Sequence, residues 1–191
     1  MSIVTIVLWA TPYTSVRIQE EVTGAALWLL PLKILFLLVY YTITSALGEE
    51  LGWRGYLLPK FADLGWGKAF LLSGTVHALF HFPLIFTGRY HSEGNPWIVI
   101  PMFVFSLLLI GVIFRYIRMT TQSVWPAAIM HAMHNIAMAF YREFTEVTSP
   151  AMSEYIGSES GIAAIILYGA IAVWFMTKMK RNNDAEQLMR A

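Results

Sequence analysis

Three short stretches of this chain place side chains capable of acid–base or metal chemistry inside otherwise apolar sequence. The first is GEELGWRGYLLP, residues 48 to 59, which brings Glu49, Glu50 and Arg54 to the end of an uncharged run from Ile34 to Leu47. The second is HALFHFPL, in which His77 and His81 stand one helical turn apart and Pro83 follows two residues later. The third is SVWPAAIMHAMHN, which carries His131, His134 and Asn135. An ionisable side chain at the centre of a bilayer costs about 2.5–3.5 kcal/mol on insertion scales, so each cluster is a candidate for function. Together they offer carboxylate, imidazole and amide groups, the set needed to activate a water and to stabilise an oxyanion.

Spacing narrows the roles. Adjacent residues on a helix point about 100° apart, so Glu49 and Glu50 must address different targets. Glu50 lies four residues before Arg54, the favourable order for a helical ion pair, and that pairing leaves Glu49 free for chemistry. Gly48, Gly52 and Gly55 make one side of the same helix small, which predicts a close neighbour. Pro83 removes a backbone donor and predicts a helix opened near His81. His131 and Asn135 share a face, whereas His134 is turned away from them, so one of the two histidines looks elsewhere. Each cluster taken alone also has a purely structural reading, as a boundary ion pair or a packed histidine. Trp53, Trp66, Trp97 and Trp125 read as interfacial belts and packing with no catalytic role.

The elements that must position these groups are set by solvent. Hydrophobic residues make up 57% of the 191 residues and charged ones 13%, about half the charged share of a soluble domain, and the mean hydropathy is +0.58. Net charge is +1, so no basic field for nucleic acid exists and nucleic-acid binding is set aside. Cysteine is absent, which removes disulfides, thiolate metal sites and cysteine nucleophiles.

Hydropathy predicts an all-α, polytopic bundle forming a single integral-membrane domain over 1–191. It has six apolar segments, near 1–12, 26–47, 66–87, 97–117, 122–141 and 160–178. The first is too short to span and reads as a truncated helix rather than a signal peptide. A span ending at Leu47 would leave Glu49 shallower than His81. A helix continued from about 34 to 60 would bring it down to the depth of His81 and His131.

Alternating the loops puts nine Lys and Arg on one side, among them Arg54, Lys60, Lys68, Arg118 and the tail KMKRNND. Three lie on the other, Arg17, Arg89 and Arg142, with Lys33 inside a span near that face. The C-terminus is therefore predicted cytoplasmic, and the loops GRYHSEGNP and REFTEVTSPAMSEYIGSES external, in a bacterial-type plasma membrane.

In this order the clusters resemble the motifs of the CAAX-protease and bacteriocin-processing (CPBP) family, also described as the CAAX prenyl protease 2 or type II CAAX endopeptidase group. EExxxR is present as Glu49, Glu50 and Arg54, and HxxxN as His131 and Asn135 after SVWPAAI. The middle motif, an aromatic four residues before a histidine, aligns with His77 and His81, with His77 where the family usually has an aromatic. The similarity covers a motif-bearing core of about 30–140, and the chain looks short before the first motif.

The resemblance implies an intramembrane endopeptidase that hydrolyses peptide bonds of membrane-associated or peptide substrates with an activated water. Glu49 would be the general base, and His81 would orient or activate the water. His131 and Asn135 would stabilise the oxyanion, with Glu50 and Arg54 holding Glu49 in place. The family's metalloprotease label suits zinc held by Glu49, His81 and His131, or by a His77–His81 pair, but HExxH is absent and a metal-free glutamate mechanism uses the same residues. The alternative is a non-catalytic scaffold or bacteriocin-immunity-type membrane protein that keeps the fold. A transporter subunit with a proton relay fits the composition but not the motifs.

Overall fold

The structure is a computed structural model describing residues 3–16 and 25–190. Arg17, counted above on the poorer side, lies outside the described residues. Helix α1 (Ile3–Trp9) and strand β1 (Thr14–Val16) lead into a long helical run: α2 (Ala25–Tyr41), a π segment (Thr42–Ala46), α3 (Leu47–Glu50), a second π segment (Leu51–Leu57) and α4 (Leu58–Lys60). A 3₁₀ turn and Gly65, whose φ of 87° suits a residue without Cβ, then start α5 (Trp66–Phe86). Next come α6 (Pro96–Thr121), α7 (Trp125–Phe144), strand β2 (Thr145–Val147), α8 (Pro150–Gly157) and α9 (Ile162–Arg190). Asn95 caps α6 by accepting the Trp97 N–H at 3.0 Å, and Pro96 occupies the first turn, where its missing donor costs nothing.

Among the described residues four runs are long and apolar enough to cross a membrane: Trp28–Lys60, Trp66–Phe86, Pro96–Thr121 and Pro150–Lys180. The distribution of side chains is that of a protein solvated by lipid. Trp28 and Trp97 are 87% and 88% exposed, whereas Glu50 and Arg54 are 0% and 5% exposed. Water as solvent would favour the reverse, so the chain is an integral membrane protein. Small residues let the helices approach, between larger ones such as Phe103, Leu107, Ile113 and Tyr168. Ala46, Ala69, Ala78, Ala127, Ala128, Ala132 and Ala164 are all buried.

Several expectations change. The second apolar segment does not end at Leu47 but continues as one helical run to Lys60, the arrangement that lets Glu49 reach His81's helix. The segment 122–141 does form helix α7, yet α7 is not among the four apolar runs, because polar residues occupy one of its faces. Pro83 sits inside α5 without interrupting it. Gly48 and Gly52 face open space, and only Gly55 meets a neighbour, with Val124 Cγ1 3.4 Å from where a Cβ would stand. The close approaches fall elsewhere. A Cβ on Gly111 would lie 3.3 Å from Phe70 and 3.6 Å from the Arg54 guanidinium.

The two short strands were not legible from hydropathy. β1 and β2 pair antiparallel with Thr14 opposite Val147, and Trp9 Nε1 donates to Thr145 Oγ1 at 2.9 Å. They gather the chain's early segment and the α7–α8 connection at one end of the bundle. The Lys33–Glu143 pair at 3.2 Å and the hydrogen bond from the Asn95 N–H to the Tyr155 hydroxyl at 2.7 Å lie among the same connections. The loops assigned above to one side of the membrane are thus in mutual contact.

Candidate functional site

The site begins with the long helix. Two π segments bracket Glu49 and Glu50, and i→i+5 turns of this kind widen a helix and recur at functional positions. The carbonyl of Trp53, within the second π segment, also accepts from Ser73 Oγ of α5 at 3.1 Å, which ties the two helices at this level. The neighbouring carboxylates diverge as the helical rotation requires. Glu49 turns to α5, where its Oε2 meets His77 Nε2 at 3.1 Å. Glu50 turns to α7, where its Oε1 meets His131 Nδ1 at 3.0 Å.

Glu50 also accepts from Arg54 at 2.8 Å, so the anticipated ion pair forms, and it is buried on both sides. The guanidinium rests over the Phe114 ring at 4.8 Å and beside Gly111. Burying two charges is costly, and a third polar partner offsets part of that cost. His131 is that partner. It stacks on Phe114 in turn, with ring centroids 5.6 Å apart.

On α5, His77 and His81 lie one turn apart with their Nε2 atoms 3.4 Å from each other. His77 is 4% exposed and stacks on Trp53 at 4.9 Å. Trp53 also donates from Nε1 to Glu49 Oε2 at 3.4 Å, so this tryptophan belongs to the site rather than to an interfacial belt. Glu49, His81, His131 and Asn135, the four residues singled out for chemistry, all line one cavity of about 360 Å³ together with His77. Glu50 and Arg54 do not line it and stand behind.

Sequence reading missed another part of the same cavity. His134 turns away from His131, as the helical rotation anticipates, and its Nε2 meets Glu159 Oε2 at 2.7 Å, with the Tyr168 hydroxyl 3.3 Å from Nδ1. The Tyr90 hydroxyl donates to Glu159, and His91 Nε2 lies 3.5 Å from it. Glu159 had been placed in an external acidic loop. Nothing in the local sequence separates it from Glu146, which is exposed.

The residues present fit a metal of the zinc class. Zinc bonds of 2.0–2.2 Å to imidazole and carboxylate in a tetrahedron put ligand atoms roughly 3.4 Å apart. Glu49, His77 and His81 offer ligand atoms within 4.8 Å of one another. His131, part of the set the resemblance implied, is not in this group.

The family described as "Type II CAAX prenyl endopeptidase Rce1-like" matches residues 31–137, more than half of the chain. The chain belongs to this family. A CAAX prenyl protease 2 of Methanococcus maripaludis is 32% identical over 109 residues, which cover 54% of this chain and 38% of that protein. The chain therefore matches less than half the length of this curated relative. No solved structure gives a significant match. The Rce1-like match contains Glu49, His77, His81, His131 and Asn135 and ends before Glu159 and Tyr168.

Proposed function

We propose that this Rce1-like protein is an intramembrane endopeptidase that hydrolyses peptide bonds of membrane-associated or peptide substrates. The observation that carries the reading is convergence: Glu49 from the long helix, His81 from α5, and His131 with Asn135 from α7 line one cavity. The two family findings support it at the level of the family.

In this reading a water in the cavity is deprotonated by Glu49 as it attacks the peptide carbonyl. His81 orients that water, and the proton held by Glu49 passes to the departing amine. His77 and Trp53 contact the Glu49 carboxylate and fix its rotamer, leaving its second oxygen for the water. Asn135 presents an amide donor to the developing oxyanion. His131 has a more constrained part. Its Nδ1 is engaged by the Glu50 carboxylate, so in the neutral ring the proton sits on Nδ1 and Nε2 is an acceptor. Donation to an oxyanion from Nε2 therefore requires the imidazolium form, for which Glu50 is the adjacent counter-charge. A zinc ion held by Glu49, His77 and His81 would supply Lewis-acid activation of water at the same place.

Cleavage of a library of quenched peptides by the purified chain in detergent tests the reading. Glu49→Ala and His81→Ala are expected to lower the rate by about 10²–10⁴, the usual contribution of positioned acid–base groups. Variants as fast as the parent would overturn it and leave the non-catalytic scaffold as the account of the fold.

A further inference from the structure

We propose that Glu49, His77 and His81 form a binding site for one divalent transition-metal ion of the zinc class, with His77 rather than His131 as the third ligand. The proposal stands on geometry and does not depend on whether the chain cleaves peptides. His77 Nε2 faces two partners at once, Glu49 Oε2 at 3.1 Å and His81 Nε2 at 3.4 Å. An imidazole nitrogen carries at most one proton, so direct hydrogen bonding cannot serve both contacts fully. Two of the three ligand–ligand distances already match the edge of a zinc tetrahedron, and all three atoms lie within 4.8 Å of one another. A common cation would serve the lone pairs with a small closing movement of Glu49 or His81.

The donor set, two imidazoles and a carboxylate with a fourth position open to the cavity, is that of catalytic-type zinc sites. The ligands are also held in place. His77 and His81 are one turn apart on an unbroken helix, His77 is clamped by its stack on Trp53, and Glu49 is tethered by the Trp53 indole. His131 is directed elsewhere, with Nδ1 on the buried Glu50.

The full chain in detergent, stripped with chelator, is titrated with Co²⁺ while the visible absorption of four-coordinate cobalt is followed, and Zn²⁺ is then added. One equivalent of Co²⁺ is expected to saturate the signal and Zn²⁺ to bleach it. His77→Phe, which keeps an aromatic ring against Trp53, is expected to weaken binding by at least about 100-fold, more than loss of an outer-shell partner typically costs. His131→Asn is expected to bind as the parent does. A thermal melt of each stripped variant reports folding, and His77→Gln is read in place of His77→Phe if the latter does not fold.

Absence of saturable cobalt binding overturns the site, as does binding that survives loss of His77. Binding lost in His131→Asn but kept in His77→Phe would assign the ion to the other set. Peptide cleavage by the stripped parent is a separate measurement, and its failure bears on the hydrolytic reading alone.

Discussion

Glu50 shows most directly how a single residue's surroundings set the consequence of losing it. It is fully buried, accepts from Arg54 at 2.8 Å, and meets His131 at 3.0 Å. Truncating it leaves a buried guanidinium without its counter-charge, and breaking such pairs costs about 3–5 kcal/mol. Glu50→Ala is therefore expected to unfold far more readily than the parent in a denaturant titration in mixed micelles. The double variant Glu50→Met/Arg54→Met, which removes both charges, is expected to recover most of the loss. Equal destabilisation of the two would mean that the pair does not act as a unit. Glu49 differs because its neighbours leave it open to the cavity, with a side chain 25% exposed, and its loss is expected in turnover rather than in stability.

At the scale of elements, the π segments are the device that sets which way the carboxylates point. A residue inserted into an α-helix rotates everything beyond it by about 100° relative to what precedes it. In the first π segment Thr44 is exposed and its hydroxyl bonds only to the Tyr40 carbonyl of the same helix, at 2.7 Å. Deleting Thr44 is expected to turn that segment into regular α-helix and swing the contacts of α2, including Lys33–Glu143, out of register with Glu49–His77 and Glu50–His131. The expected outcome is a protein that still inserts into membranes but cleaves peptides at least tenfold more slowly, read by membrane fractionation and the quenched-peptide assay. Full activity would show that the bulge is not what aims the site.

The loop joining α5 to α6 makes a second connection at this scale. Burial works to lower the pKa of His91, but a hydrogen bond with Glu154 of α8 and the Glu159 carboxylate 3.5 Å from Nε2 outweigh it and hold the value up at about 9. Tyr90 and Ser160 are the other polar groups against this ring. A raised folded-state pKa means that the protonated form is favoured by folding. The contribution is complete below the ordinary value of 6.5 and is lost as pH rises toward 9. Thermal melts should accordingly show the parent losing its advantage over His91→Gln between pH 6.5 and 9. A constant difference across that window would remove His91 as the titrating group.

For the whole molecule, the loops expected on one side of the membrane do meet at one end of the bundle through β1–β2 and α8. The bias of Lys and Arg toward the opposite end carries the proposal that the C-terminus is cytoplasmic in a bacterial-type plasma membrane. A green fluorescent protein fused after Ala191 is expected to fluoresce, and alkaline phosphatase at the same position to be inactive. The reverse pattern would invert the orientation.

What the sequence determined by itself follows from quantities that are local along the chain. Hydropathy averaged over some 20 residues identified lipid as the solvent and located the long helices, though not the short α8. The 3.6-residue period specified the Glu50–Arg54 pair, the divergence of Glu49 from Glu50, and the parting of His131 from His134. Motif order pointed to the family. Only the tertiary structure decided which helix faces which. The meeting of Glu49 with His77, of Glu50 with His131, and the inward turn of Glu159 depend on helix rotation set by π segments and on loops closing over long separations. Trp53 shows the limit most simply. Its sequence context is that of an interfacial tryptophan, and it became part of the site because α5 happened to present His77 to its ring. The packing of several helices, not any one segment, fixes such contacts, and so no single stretch of sequence carries them.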